Sequence, residues 1–140
     1  MSLKVAIFED DKELADLLKE RMEDRHFEVV NYYSLLDSSW QSSDIVLADF
    51  RNKIVPFSEV VDLARQTHLP VIAISGAETQ FRPQLLKPFL IDDLEGFVLK
   101  VLRDAGPRTG TVKEKNQKKN SQKKNNVHPR GLLSIFKLTS

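Results

Sequence analysis

The sequence predicts an α/β protein with a doubly wound, parallel five-stranded sheet. Short apolar runs at 4–8, 27–30, 45–49 and 71–74, with a fifth strand placed at 84–87, alternate with stretches of helical periodicity. Such alternation implies a parallel sheet joined by right-handed crossovers. The runs are apolar along their length, not at every second residue, as in strands covered on both faces.

Taken in order, Lys4-Val5-Ala6-Ile7-Phe8 reads as a buried strand that ends in Glu9-Asp10-Asp11. Asp11 is an expected N-cap for a helix with Leu14, Leu17, Leu18 and Met22 on its inner face. Phe27-Glu28-Val29-Val30 is the second strand, and 34–41 holds at best a short helix with Leu35, Leu36 and Trp40 inward. Asp44-Ile45-Val46-Leu47-Ala48-Asp49-Phe50 is a strand that stops in a carboxylate. Ser58 is the expected cap of a helix reaching about Gln66 that buries Val60, Val61, Leu63 and Ala64. Val71-Ile72-Ala73-Ile74 is a strand ending at Ser75-Gly76, and Leu85-Leu86 leads into Lys87-Pro88. Asp92 or Asp93 is expected to start the last helix, with Leu94, Phe97, Val98, Val101 and Leu102 inward and Gly106-Pro107 as its stop.

A chain of 140 residues with 41% apolar content suits one domain with a modest core. The absence of Cys excludes disulfides, zinc thiolates and a thiol nucleophile. No apolar run reaches the roughly 18 residues of a membrane span. Met-Ser-Leu-Lys lacks a signal-peptide layout, so a cytoplasmic protein is expected. The net charge of +1 hides a division: 105–140 carry nine basic residues and one acid, a net +8, whereas 1–104 carry 12 and 19, a net −7. The expected organisation is a domain at 1–105, a flexible basic low-complexity linker at 106–130 and a short apolar segment at 131–140.

If the strands are parallel, Glu9, Asp10, Asp49, Ser75 and Lys87 converge at one edge of the sheet. In open α/β sheets ligands bind at the carboxyl ends of the strands. Converging carboxylates repel unless a cation lies among them, and hard oxygen donors suit Mg²⁺ or Mn²⁺. A lysine and a hydroxyl aimed at the same place would stabilise an anion. Together these are the parts for phosphoryl transfer onto an aspartate. Plainer readings exist for each: Asp49 as a turn residue, Glu9-Asp10-Asp11 as a solvated helix start, Ser75-Gly76 as a turn, and Lys87 as an exposed strand-end lysine.

The set Ile7-Phe8-Glu9-Asp10-Asp11, Ile45-Val46-Leu47-Ala48-Asp49, Val71-Ile72-Ala73-Ile74-Ser75-Gly76 and Lys87-Pro88-Phe89 resembles the receiver domain of two-component response regulators, over about 3–104. The resemblance implies a flavodoxin-like receiver fold and a phosphorelay protein that takes a phosphoryl group onto Asp49. A histidine kinase or histidine phosphotransferase would be the donor. Glu9, Asp10, Asp49 and the backbone carbonyl of Arg51 would hold Mg²⁺. Ser75 would hydrogen-bond a phosphate oxygen, and Lys87 would pair with the phosphate or with Asp49. The Lys87–Pro88 bond would be cis. Such a domain is not an enzyme in the ordinary sense; it promotes its own phosphorylation and dephosphorylation.

The chain also departs from that family. Only residues 76–86 separate Ser75 from Lys87, too few for a mean helix of about 11 residues plus a strand. With the strand at 84–87, the eight residues 76–83 still reach roughly 26 Å extended. The return needs about 17 Å along the strand and about 5 Å sideways. An extended crossover is therefore predicted, with the fourth helix missing. Gln84 stands where the family usually carries an aromatic switch residue, and Ala77 is too small to influence the site. A missing helix should leave apolar sheet uncovered, which would mark an interface for a second copy in a homodimer or for the segment Leu132, Leu133, Ile135, Phe136 and Leu138.

Three functions follow: a phospho-accepting receiver signalling through protein contacts; a degenerate receiver serving as a phosphorylation-independent interaction or dimerisation module; and a basic tail that binds nucleic acid or an acidic surface, against which stands a merely solubilising extension.

Overall fold

The computed structural model describes residues 2–106. Strands β1 (Lys4–Phe8), β2 (Glu28–Asn31), β3 (Ile45–Asp49), β4 (Val71–Ser75) and β5 (Gln84–Leu86) form one parallel sheet in the order β2-β1-β3-β4-β5. The chain enters at β1, moves outward to β2, then crosses back over β1 to β3. The reversal places a switch point between β1 and β3, where Ile7 pairs with Leu47 and Phe8 with Ala48. Crevices at such points lie beyond the strands' carboxyl ends. Glu9 follows one of those ends and Asp49 closes the other.

Alternation along the strands divides the core into two layers. On one face Val5, Ile7, Ile45, Leu47, Ile72, Ile74 and Leu85 meet α1 (Lys12–Glu23) and α3 (Ile91–Ala105) through Leu18, Met22, Leu94 and Phe97. On the other, Ala6, Phe8, Val46 and Ala48 meet Trp40 and α2 (Phe57–Gln66) through Val60 and Ala64.

Asp11 caps α1 as expected, its Oδ1 accepting from the backbone N–H of Glu13 (3.1 Å) and Leu14 (3.3 Å). The buried stripe is Ala15, Leu18 and Met22, not the four-residue set read from the sequence. Leu17 is 46% exposed, because the 15–18–22 row faces the sheet and the neighbouring row faces the 87–91 loop. The short helix expected at 34–41 is a 3₁₀ helix at Ser38–Ser42 capped by Asp37. One tight turn directs Trp40 inward and leaves Leu36 exposed, against expectation.

Two helix starts also differ. α2 begins after Pro56, so Ser58 lies within its first turn and caps nothing. The loop before it is held instead by Asn52, whose Oδ1 accepts from the backbone N–H of Ile54 and Val55 (both 2.8 Å). α3 begins after Leu90, placing Asp92 and Asp93 in the first turn, where acids suit the helix dipole. Arg25 pairs there with Asp92 and Glu95. Gly106 ends α3 at φ 73°, a left-handed conformation that favours glycine.

Residues 76–83 form the expected non-helical crossover between β4 and β5. The expectation that apolar sheet lies bare is corrected: Ala73, Ser75 and Gln84 are all buried. The crossover itself covers them. Gln84 Oε1 accepts from Thr79 N–H (2.9 Å) and Thr79 Oγ1 (2.7 Å), and Thr79 Oγ1 accepts from Phe81 N–H (3.1 Å). That tether lays Phe81 edge-on against Phe57, with ring centroids 4.9 Å apart. The homodimer expected through an uncovered face therefore loses its premise. The Arg82–Pro83 and Lys87–Pro88 bonds are cis, the second as the resemblance implied. The linker beyond Gly106 and the apolar segment at 131–140 lie outside the described residues.

Candidate functional site

The loops after β1 and β3 bring three carboxylates together. Oxygens of Glu9, Asp10 and Asp49 lie within 4.8 Å of one another. Glu9 and Asp49 are buried, and Asp10 is half-buried. Lys87 arrives from beyond β5, its Nζ 3.2 Å from Glu9 Oε1 and 3.7 Å from Asp49 Oδ1. Its backbone N–H donates to Ser75 O (2.8 Å), which fixes where the lysine leaves the sheet.

Backbone donors fix the acids. Asp11 N–H donates to Glu9 Oε2 (3.0 Å), and Lys53 N–H donates to Asp10 Oδ2 (2.8 Å). The latter bond holds the Asp10 carboxyl below its ordinary range. Glu9 is shifted the other way: burial raises its pKa first, and the Asp49 charge adds to that against the opposing Asp11 N–H and Lys87. One lysine thus leaves the cluster short of positive charge. Oxygen-only donors, close together and under-neutralised, fit a hard divalent cation such as Mg²⁺ or Mn²⁺.

Of the residues singled out from the sequence, Glu9, Asp10, Asp49 and Lys87 are in one cluster. Arg51 is in the turn just past β3, where its N–H donates to Asp49 Oδ1 (3.4 Å). Ser75 is buried at the end of β4, and its hydroxyl donates to the Ala77 carbonyl (2.6 Å). Ala77 therefore matters through its backbone, contrary to the expectation from its small side chain. Sequence reasoning missed Asn31, whose side chain accepts from Glu9 N–H (3.3 Å) and donates to Glu9 O (3.4 Å). A polar residue ending β2, in register with Ile7, was the available signal. It also missed Lys53, which acts through its N–H alone and leaves no trace in side-chain type.

No family model and no curated protein matches this sequence. Solved structures do match. The Francisella response regulator 1452 receiver domain is 20% identical with a TM-score of 0.63, covering 75% of this chain and 100% of that one. A response regulator receiver protein from Sinorhizobium medicae is 22% identical with a TM-score of 0.64, covering 75% and 98%. The chemotaxis response regulator CheY4 of Vibrio cholerae is 16% identical with a TM-score of 0.63, covering 72% and 99%. Among the described residues no helix is long and apolar enough to cross a membrane. The chain has the fold of response-regulator receiver domains, with five parallel strands and a non-helical crossover where the fourth helix is missing.

Proposed function

We propose that this chain is a phospho-accepting receiver of a two-component phosphorelay, working in the cytoplasm and signalling through protein contacts. The observation that carries the reading is the cluster itself: three carboxylate groups within 4.8 Å, with Lys87 Nζ 3.7 Å from Asp49. Asp49 is the nucleophile. Its carboxylate oxygen forms the new bond to phosphorus as the bond from phosphorus to the donor imidazole nitrogen breaks, and the electron pair leaves with that nitrogen. The donor is a histidine kinase or histidine phosphotransferase. Mg²⁺, held by Glu9, Asp10, Asp49 and the Arg51 carbonyl, would neutralise charge on the phosphoryl oxygens. Lys87 places its ammonium against the same group, and the Ser75 hydroxyl supplies a donor once it leaves Ala77 O. The domain acts as a switch that promotes its own phosphorylation from that donor and its own dephosphorylation.

Incubation with Mg²⁺ and acetyl phosphate or phosphoramidate, read by intact mass, tests this. A single phosphoryl adduct that disappears in Asp49→Asn is expected. Absence of any adduct with several donors would overturn this reading and favour the second, a phosphorylation-independent interaction module. The observation behind that second reading is the tether of Ser75 and Gln84 into the crossover.

A further inference from the structure

A groove of ≈ 510 Å³ runs between α1 and the loop joining β5 to α3. Its walls are mainly apolar, with Leu14 and Leu17 on one side and Phe89, Leu90 and Ile91 on the other, and Arg21, Lys87 and Asp92 also line it. Leu17 is 46% and Leu90 70% exposed, so leucine surface lies open along the groove. Grooves of this size and lining take up apolar side chains. The chain beyond Gly106 contains one apolar cluster, Leu132, Leu133, Ile135, Phe136 and Leu138. We propose that this segment of the same chain docks in the α1/α3 groove.

Reach favours that occupant. The groove lies at the N-terminal end of α3 and the chain leaves from its C-terminal end. The 15 residues of α3 separate the two by about 22 Å. The connecting stretch is residues 107–130, rich in Lys, Asn, Gln and Ser. A flexible chain of that length would span about 27 Å root-mean-square, and more where its lysines repel one another, so the gap is within reach. Tethers whose span matches the gap give effective concentrations near the millimolar maximum. Overall charge holds the basic stretch near the domain, +8 from 105 onward against −7, while the groove itself carries Arg21, Lys87 and Asp92, so docking there rests on its apolar walls. The sheet face beneath the crossover is closed by Thr79 and Phe81, so it does not compete for the segment.

The chain has no native cysteine, which permits a direct test on the full-length protein. Leu17→Cys combined with Ile135→Cys should close an intrachain disulfide under mild oxidation. The rate should exceed that of Leu36→Cys with Ile135→Cys at least tenfold. Leu36 is a fair control because it is 95% exposed and its neighbour Leu35 packs on the opposite face of the sheet. Adding Phe136→Asp should abolish the advantage. Equal rates at the two positions, an advantage that survives Phe136→Asp, or disulfide-linked dimers in place of the intrachain product would each overturn the proposal. The last outcome would assign the groove to a second copy.

Discussion

If the three acids hold a cation, as proposed, they should cost stability when it is withheld, and Asp49→Asn measures that cost. Two unit charges 4.8 Å apart, the outer bound of the cluster, repel by about 0.9 kcal/mol in bulk water. At an effective dielectric of about 20 the same pair repels by about 3.5 kcal/mol. Asparagine removes the repulsion of Asp49 with Glu9 and with Asp10. It also removes one attraction, to Lys87 at 3.7 Å, worth about 1.1 to 4.5 kcal/mol between the same limits. The balance is a gain of about 0.6 to 2.5 kcal/mol for the metal-free variant. Its amide oxygen can still accept from Arg51 N–H, so the local backbone has no reason to move. For a domain of this size that gain raises Tm by roughly 3–15 °C. Thermal unfolding in EDTA and then in Mg²⁺ provides the assay. With Mg²⁺ at tenfold its Kd, the wild type gains about 1.4 kcal/mol and overtakes part or all of the difference, while the variant gains less. A variant that melts below wild type in EDTA, together with a wild-type Tm indifferent to Mg²⁺, would refute the view that these acids are held in mutual repulsion for a metal.

Two further outcomes are expected. Phe81→Ala should destabilise by about 2 kcal/mol, less than full core truncation because Phe81 is half-buried, and a double-mutant cycle with Phe57→Leu should assign about 0.5–1.5 kcal/mol of it to the ring contact. A loss below about 0.5 kcal/mol in urea unfolding would mean that the crossover does not depend on Phe81 to cover the sheet. Asp11→Ala should cost about 1 kcal/mol, read in the same way, because two N–H groups of α1 lose their acceptor.

The parts legible in the sequence were those set by long-range pattern. Apolar runs fixed the strands, and the polar residues that stop them fixed the positions of Glu9, Asp49 and Lys87. Chain length alone excluded a helix between β4 and β5. What escaped was decided by tertiary detail. The α1 stripe turned by one row because both 14–17 and 15–18 rows carry apolar residues, and only the sheet selects between them. Ser58 has the chemistry of a cap, but Pro56 and the Asn52-held loop start α2 earlier. Gln84 looked like the loss of a switch residue. Its burial under Thr79 shows that a polar side chain became the anchor of a crossover too short for a helix.

That anchor bears on how the site could report its state. The Ser75 hydroxyl is committed to Ala77 O at 2.6 Å, and Ala77 N–H donates back to it at 3.2 Å. Two residues further along, Thr79 is bound twice to Gln84. A hydroxyl drawn to a phosphoryl group on Asp49 must leave Ala77, and the Ala77 carbonyl must then find another donor. The strain falls on the segment between Ser75 and the Thr79–Gln84 pair. Among the described residues Gln84 Nε2 has no hydrogen-bond partner, and it is buried beside this segment, so an amide donor is already at hand as the backbone rearranges. The crossover is short, rigidly tied at both ends and adjacent to the proposed acceptor. On this geometry, the expected readout of a phosphorylated Asp49 runs through residues 76–83 and is measured as a change in the exposure of Phe81 by hydrogen exchange with and without a phosphodonor. It does not require the helix that the chain lacks.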